Sequence, residues 1–409
     1  MQILQSPAAA PALSALPPLS LYVHIPWCVR KCPYCDFNSH EITTSIQAGS
    51  RAPAGLDVAL EKRYVQALIA DLDKALPQVW GRPVYTVFFG GGTPSLLSTR
   101  GLDDLLSAIR ARLLLAPDAE VTLEANPGTF ETRKFAEFRA LGVNRLSIGI
   151  QSFDAGHLKA LGRIHDAAQA RAAIEIAQAS FDNFNLDLMY ALPAQTLAQA
   201  LTDIDTAIGF SPAHVSAYHL TIEPNTLFYR HPPNLPDDDI SADMQQAIEA
   251  RLAAAGYLHY ETSAFAQAGR QARHNLNYWS FGDYLGIGAG AHGKLSFADR
   301  ILRQMRYKQP REYMEKAEAG APVQVEQHVG VDDLPFEFMM NALRLTDGFA
   351  LPLFSERTGL PLHALRGELL AAETRGLIER DHQRLRPTLK GQRFLNDLLQ
   401  LFLKDAATP

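Results

Sequence analysis

The sequence predicts an α/β chain: a partial (β/α)6, TIM-like barrel followed by a mostly helical, winged-helix-like C-terminal domain. Three observations predict it. Apolar strand-like runs alternate with helical periods from Leu21 to His219, the mark of βαβ units and a parallel sheet. Glycines and polar residues collect just after those runs, where the βα loops of such a barrel share one rim. Beyond Thr221 the rhythm stops, and from Val331 the chain reads as helices with a short hairpin.

Each element follows from local pattern. Leu21 to Ile25 is a strand running straight into Trp27-Cys28. Thr43 to Asp57 is rich in Gly, Ala, Ser and Pro and reads as a surface insertion. Leu60, Tyr64, Leu68 and Leu72 fall on one face of a helix over Val58 to Leu76. Strands follow at Val84–Phe89, Glu120–Glu124, Arg145–Ile150, Phe184–Leu188 and His214–His219. Helices between them span about Leu102–Leu114, Phe135–Leu141, a pair interrupted at Gly162–His165, and about Leu197–Ile208. Pro232-Pro233-Asn234-Leu235-Pro236 is a stiff linker. Asp237-Asp238-Asp239 then reads as a helix cap rather than a metal site, with the helix running to Ala255. Tyr257 to Phe265 and the segment around Leu285 read as strands. Phe349–Glu356 and Leu362–Arg375 read as helix–turn–helix, with a wing after them and a final helix over Lys390–Leu403. The organisation expected is a flexible tail (1–18), a barrel core (19–230), a linker and barrel extension (231–330) and a C-terminal domain (331–409).

Bulk properties narrow the function. The 47% hydrophobic content is that of a globular protein. A net charge of −6 and a pI near 6.1 provide no basic field for nucleic acid. Acidic residues match basic ones across the winged segment as well, which favours a protein-facing or substrate-covering role over DNA. No apolar run reaches the length of a membrane span. The first twenty residues lack Lys and Arg and do not read as a signal peptide. A cytoplasmic, reducing location is expected.

All three cysteines lie in one loop, Cys28-x₃-Cys32-x₂-Cys35. Three close thiols cannot all pair as disulfides, and the reducing location argues against any. Zinc would need a fourth ligand from His24, His40 or Asp36. An iron–sulfur cubane held by three cysteines leaves one iron open to an exogenous ligand.

Other motifs are weaker. Gly90-Gly91-Gly92-Thr93-Pro94 is no P-loop, since no Lys follows, but it permits close backbone approach to a ligand. Gly286-Ile287-Gly288-Ala289-Gly290-Ala291 fits G-x-G-x-x-A without the βαβ context that a dinucleotide site requires. Glu124, Gln151, Arg163 and Asp187 would share the barrel rim. His274-Asn275-Leu276-Asn277-Tyr278-Trp279 is either structural or a place where His274 meets the iron of a heme.

The cysteine loop resembles that of the radical S-adenosylmethionine (SAM) superfamily, whose last cysteine follows an aromatic residue, here Tyr34. Over nearly its whole length the chain resembles the heme-chaperone family related to oxygen-independent coproporphyrinogen III dehydrogenase. The resemblance rests on His24 to Cys28, Cys32 to His40, Gly90 to Pro94, Glu124 to Gly128, Ile148 to Phe153, Asn185 to Met189, Thr221 to Thr226 and His274 to Trp279. It implies a partial barrel of the radical SAM type. It implies a [4Fe-4S] cluster on Cys28, Cys32 and Cys35. It places Tyr22, Tyr34, Gly91, Gly92, Thr93, Glu124, Gln151, Arg163 and Asp187 at SAM-contact positions, and His274 as a heme contact. Tyr34 stands where the dehydrogenase has Phe, so only its backbone role carries over. Phe37 stands where the dehydrogenase has a fourth cysteine, and the dehydrogenase's longer N-terminal substrate segment is missing before Leu21.

The expected function is therefore a carrier that binds heme, cluster and SAM and hands heme to apo-cytochromes or other heme acceptors of the respiratory chain. The resemblance leaves a homodimer and peripheral membrane contact open. An oxygen-independent coproporphyrinogen III dehydrogenase is the enzymatic alternative; there SAM would yield a 5′-deoxyadenosyl radical. A redox-sensing DNA binder is the third reading, disfavoured by charge.

Overall fold

The computed structural model describes residues 11–42, 55–128 and 134–403. Most of the expected N-terminal tail and of the insertion after Ile42 lies outside the described residues.

Six parallel strands stand in sequence order: β1 (Leu19–Ile25), β2 (Pro83–Gly91), β3 (Leu114–Ala125), β4 (Arg145–Gln151), β5 (Phe184–Tyr190) and β6 (His214–His219). Except for Tyr22, every residue of β1 is buried, because helices cover one face and the barrel interior the other. Such strands read as apolar runs rather than alternations. The long helix Val58–Val79 buries Tyr64, Leu68 and Leu72 against them. Its Tyr64 hydroxyl donates to the His24 carbonyl at 2.7 Å and accepts from Ala289 N–H at 2.9 Å. That one side chain ties helix, first strand and C-terminal extension together.

The sheet runs further than six strands. Asp283–Ile287 lies parallel to β1, with Leu21 opposite Leu285. His292–Ser296, Ile301–Arg306 and Val323–His328 then add antiparallel strands. At the other edge, Ala264–Ala266 pairs antiparallel with β6 and Leu258–Glu261 follows it. The sheet has twelve strands among the described residues. The expected single strand over Tyr257–Phe265 is thus two, folded back at Thr262-Ser263. Asp237 caps the helix Asp238–Ala254 by accepting from Ile240 N–H at 2.8 Å, as its composition suggests.

A second core belongs to the C-terminal segment. Phe338, Phe349, Phe354, Leu369 and Leu385 pack there with Phe281 and Ile301 of the sheet extension. Phe349-Ala350 pairs with Arg384-Leu385 as a third strand of the wing, so the helix expected from Phe349 begins at Leu351. The final helix is broken at Phe394, whose φ of −112° and ψ of 45° are not helical. No helix of the described residues is long and apolar enough to cross a membrane.

Candidate functional site

The cysteine loop is held by contacts within the chain. Trp27-Cys28 bridges His40-Glu41 in parallel, closing the loop at its base. The Lys31 ammonium donates to the carbonyls of Phe37 and Ser39 at 3.1 and 3.2 Å, holding the loop from inside. Asn38 donates its amide to the Ala289 and Lys308 carbonyls at 2.9 and 2.8 Å, pinning the loop to the sheet extension. Gly290 makes room for that amide: a Cβ there would lie 2.4 Å from Asn38 Nδ2. Gly288, at φ +106°, would place a Cβ 2.4 Å from the His24 carbonyl oxygen. The G-x-G-x-x-A run is therefore packing around the loop, followed by a strand and not by a helix.

None of the three cysteines is in a disulfide, and each sulfur meets a side-chain hydroxyl or guanidinium. Thr93 Oγ1 donates to Cys28 Sγ at 3.5 Å, Arg163 Nη1 to Cys32 Sγ at 3.6 Å, and Ser39 Oγ lies 3.7 Å from Cys35 Sγ. Burial pushes the Cys28 thiol up to about 11, with the neighbouring cysteines adding to the shift. Burial also raises Cys35. Three thiolates gathered here call for a positively charged partner, and hydrogen-bond donors around the sulfurs suit an iron–sulfur cluster. Among the described residues no three His, Cys, Asp or Glu side chains group around a single ion. The zinc alternative also loses His24, whose Nδ1 meets the Tyr22 hydroxyl at 3.0 Å and whose Nε2 meets the Asn38 carbonyl at 2.9 Å. In a cubane each cysteine serves a different iron, so one common centre is not required. The residues fit the cluster.

The strand ends supply the rest. Glu124 at the end of β3 accepts from Gly91 N–H at 3.2 Å. Burial, with Asp187 nearby, pushes its carboxyl up to about 8. Asp187 on β5 is held by Ser147 Oγ at 2.9 Å and Asn185 Nδ2 at 2.7 Å, and burial raises its pKa too. Gln151 ends β4 at φ 67°, a left-handed conformation that costs a non-glycine residue roughly 1–2 kcal/mol. Gly92 has no space for a side chain, since a Cβ would sit 2.6 Å from the Trp27 carbonyl oxygen. Cys28, Cys32, Tyr34, Cys35, Gly91, Gly92, Thr93, Glu124, Gln151, Arg163 and Asp187 all line one cavity of ≈ 370 Å³.

Tyr22 and His274 lie apart from that group. They line a second cavity of ≈ 820 Å³ that shares Cys35, Asp36, Gly91 and Glu124 with the first. The His274 run is a short helix, Arg273–Trp279. Glu120 accepts from the backbone N–H groups of Arg273 and His274, each at 3.2 Å, so this helix starts on a carboxylate from β3. His274 Nδ1 meets Thr86 Oγ1 at 2.8 Å, and its ring stacks on Phe88 with centroids 4.9 Å apart. Burial pushes its pKa down to about 3, which keeps the ring neutral.

Sequence reasoning missed Asn126 as a member of the site. Its amide donates to Thr93 Oγ1 at 2.9 Å and accepts from Arg163 Nη2 at 2.6 Å. It sits in the Glu124–Gly128 turn, so its position was visible while its partners were not. Ser39 and His292 were also missed, the first as a partner of Cys35 and the second as a wall of the larger cavity.

Comparisons with known proteins agree with this architecture. The family model for the Radical SAM superfamily matches residues 22–207, and the HemN C-terminal domain model matches 331–394. A protein named heme chaperone HemW from Escherichia coli strain K12 is 48% identical over 95% of this chain and 99% of its own. That of Haemophilus influenzae is 45% identical over 95% and 99%, and that of Mycobacterium tuberculosis H37Rv is 36% identical over 98% and 99%. Among solved structures, the coproporphyrinogen III oxidase HemN of Escherichia coli superposes with a TM-score of 0.78 at 23% identity, covering 95% of this chain and 90% of that one. That likeness speaks to the fold. With identities of this size over nearly full length, and with both family models in register with the barrel and the C-terminal segment, the chain belongs to the heme chaperone HemW family of the radical SAM superfamily.

Proposed function

We propose that this protein is a heme chaperone. In this reading it binds heme in the larger cavity, a [4Fe-4S] cluster on Cys28, Cys32 and Cys35, and SAM in the smaller cavity, and it passes heme to apo-hemoproteins of the respiratory chain from the cytoplasmic side. The observation that carries the reading is the ≈ 820 Å³ cavity beside the cysteines. Its volume falls within the range of cofactor sites, about 300–1,000 Å³. Tyr22, Tyr278 and Tyr284 supply aromatic faces that suit a flat ligand, and among a lining that also carries Asp36, Glu124 and Glu223, Lys308 offers a cation for a ligand carboxylate. Membership of a family whose relatives carry the name heme chaperone supports the same ligand.

The residues of the smaller cavity suit SAM chemically. Glu124 and Asp187 can accept from ribose hydroxyls and an ammonium group, and Gly91 and Gly92 let backbone come close. Arg163 and Gln151 supply donors for a carboxylate. Tyr34 and Thr93 close the wall beside the cysteines, and Tyr22 with His274 lines the adjoining cavity. Cys28, Cys32 and Cys35 would hold the cluster, which would supply one-electron chemistry to a SAM bound beside it. The chain's own part is to hold the cysteine loop, exclude water and keep SAM beside heme.

The test is transfer. Protein loaded anaerobically with heme should convert an apo-cytochrome of the respiratory chain to its holo form faster than free heme does. Equal rates with and without the protein would reject the chaperone reading. Anaerobic decarboxylation of coproporphyrinogen III by the same preparation would replace it with an enzymatic one.

A further inference from the structure

We propose that His292, and not His274, ligates the iron of the bound heme, with the Lys308 ammonium beside it pairing with one of the heme carboxylates. The assignment rests on the heme reading above.

Four histidines line the larger cavity: His24, His40, His274 and His292. Their hydrogen bonds separate them. Both ring nitrogens of His24 are engaged, by Tyr22 and by the Asn38 carbonyl, so it has no nitrogen to offer a metal. His40 is held by the Lys308 backbone, and its Nε2 is sealed away from solvent without a partner. His274 is 4% exposed. Its Nδ1 is held by Thr86, Phe88 stacks on one face, and the edge of Tyr278 closes in with centroids 5.8 Å apart. A ligated macrocycle lies across the end of the imidazole and needs open space on every side of the nitrogen. The rings packed around His274 crowd that space.

His292 meets the requirement. It is exposed and opens into the cavity. Among the described residues its ring nitrogens have no hydrogen-bond partner. Its backbone is fixed as the first residue of the strand His292–Ser296, paired with Met305, so the ring is presented from a rigid element. Partial desolvation at the cavity wall, with the charges of Lys308 and Arg303, lowers its pKa and so favours the neutral ring that binds iron. Lys308 is exposed, while its backbone carbonyl is anchored by Asn38, so its ammonium is free to meet a carboxylate near His292. A ligand at the open side of the cavity also suits a cargo that must leave; one on the sealed floor does not.

The experiment is a ferric heme titration of the full-length protein and of H292A, H292M, H274A and K308Q, read by Soret position and electron paramagnetic resonance. H292A should lose the wild-type coordination signature and regain it with added imidazole. H292M should shift the band in its own direction, which shows a folded site with a changed ligand. H274A should bind several-fold more weakly with the band unmoved. K308Q should weaken binding, more so at low salt. An unmoved band in both H292 variants, or a shift in H274A alone, overturns the assignment while leaving heme binding intact. Wild-type protein that takes up no heme overturns the heme reading and the assignment together.

Discussion

Arg163 reaches Asn126 with one arm and a cysteine with the other: Nη2 donates to Asn126 Oδ1 at 2.6 Å while Nη1 donates to Cys32 Sγ at 3.6 Å. Nη2 also donates to the Gly149 carbonyl at 2.7 Å. Because Asn126 in turn donates to Thr93, and Thr93 to Cys28, two of the three sulfurs are linked through one chain of side chains. Asn126→Ala cuts that chain without removing any direct sulfur contact. It should lower the reduction potential of the reconstituted cluster, since hydrogen bonds to sulfur favour the reduced state. A potentiometric titration followed by electron paramagnetic resonance checks this. A potential equal to that of the wild type would show that the chain does not tune the sulfurs.

Glu124 should give SAM binding a pH dependence. Its carboxyl titrates at about 8 when folded, against a usual 4.5. A raised carboxyl destabilises the fold as pH rises through that window, because the folded chain holds a proton that the unfolded chain releases. SAM brings a sulfonium and an ammonium, which favour the ionised form. Affinity should therefore rise as pH increases towards about 8 and fall above it, where the SAM α-ammonium loses its proton. Isothermal titration between pH 6 and about 9 measures this. Glu124→Gln should bind more weakly and flatten the profile.

Gly288 should tolerate no side chain. Its φ of +106° disfavours any L-residue, and the His24 carbonyl stands 2.4 Å from the Cβ position. Gly288→Ala should cost about 2 kcal/mol or more in urea unfolding. It should also loosen the cysteine loop, because a displaced His24 would loosen its Nε2 contact with the Asn38 carbonyl. Gly81, whose Cβ position has nothing within 4 Å, has a similar positive φ of +73° and is the control for strain alone.

Lys294 is locked in the joint between the sheet and the C-terminal core. Its ammonium donates to Asp283 Oδ1 at 3.0 Å and to the Phe281 carbonyl at 2.9 Å, while Arg82 pairs with Asp283 Oδ2 at 2.8 Å. Burial pushes the lysine down to about 8. Burial alone would raise Asp283, but the two cations win and hold it below its usual value. Lys294→Ala leaves a buried carboxylate half-paired and should cost roughly 3–5 kcal/mol. Thermal unfolding should show a large loss, and Lys294→Ala with Asp283→Asn should recover part of it.

The barrel was legible because its strands are buried on both faces and its helices on one. Val84 to Phe89 and Leu60 to Leu72 carry those patterns openly. The cysteine loop and the strand-end residues were legible because chemistry after a strand falls on one rim. The strand around Leu285 was legible, but its place as a seventh parallel strand was not, because its partner β1 lies far back in the chain. Nor was the role of the Gly286–Ala291 run, since only folding shows that His24 and Asn38 occupy the space. The helix Arg273–Trp279 was hidden because Glu120, from a distant strand, satisfies its first N–H groups. Asn126 and His292 escaped for one reason: what matters in each is its partner, or the absence of one, and residue spacing carries neither.

On the function proposed above, a heme cavity lies against a three-cysteine cluster site. Anaerobic reconstitution with iron and sulfide, followed by heme titration watched by absorbance, tests it most directly. The charge-transfer absorption of a cubane should appear first, then a saturating Soret band at equimolar heme. A cubane that forms normally while heme fails to bind at any ratio would contradict it.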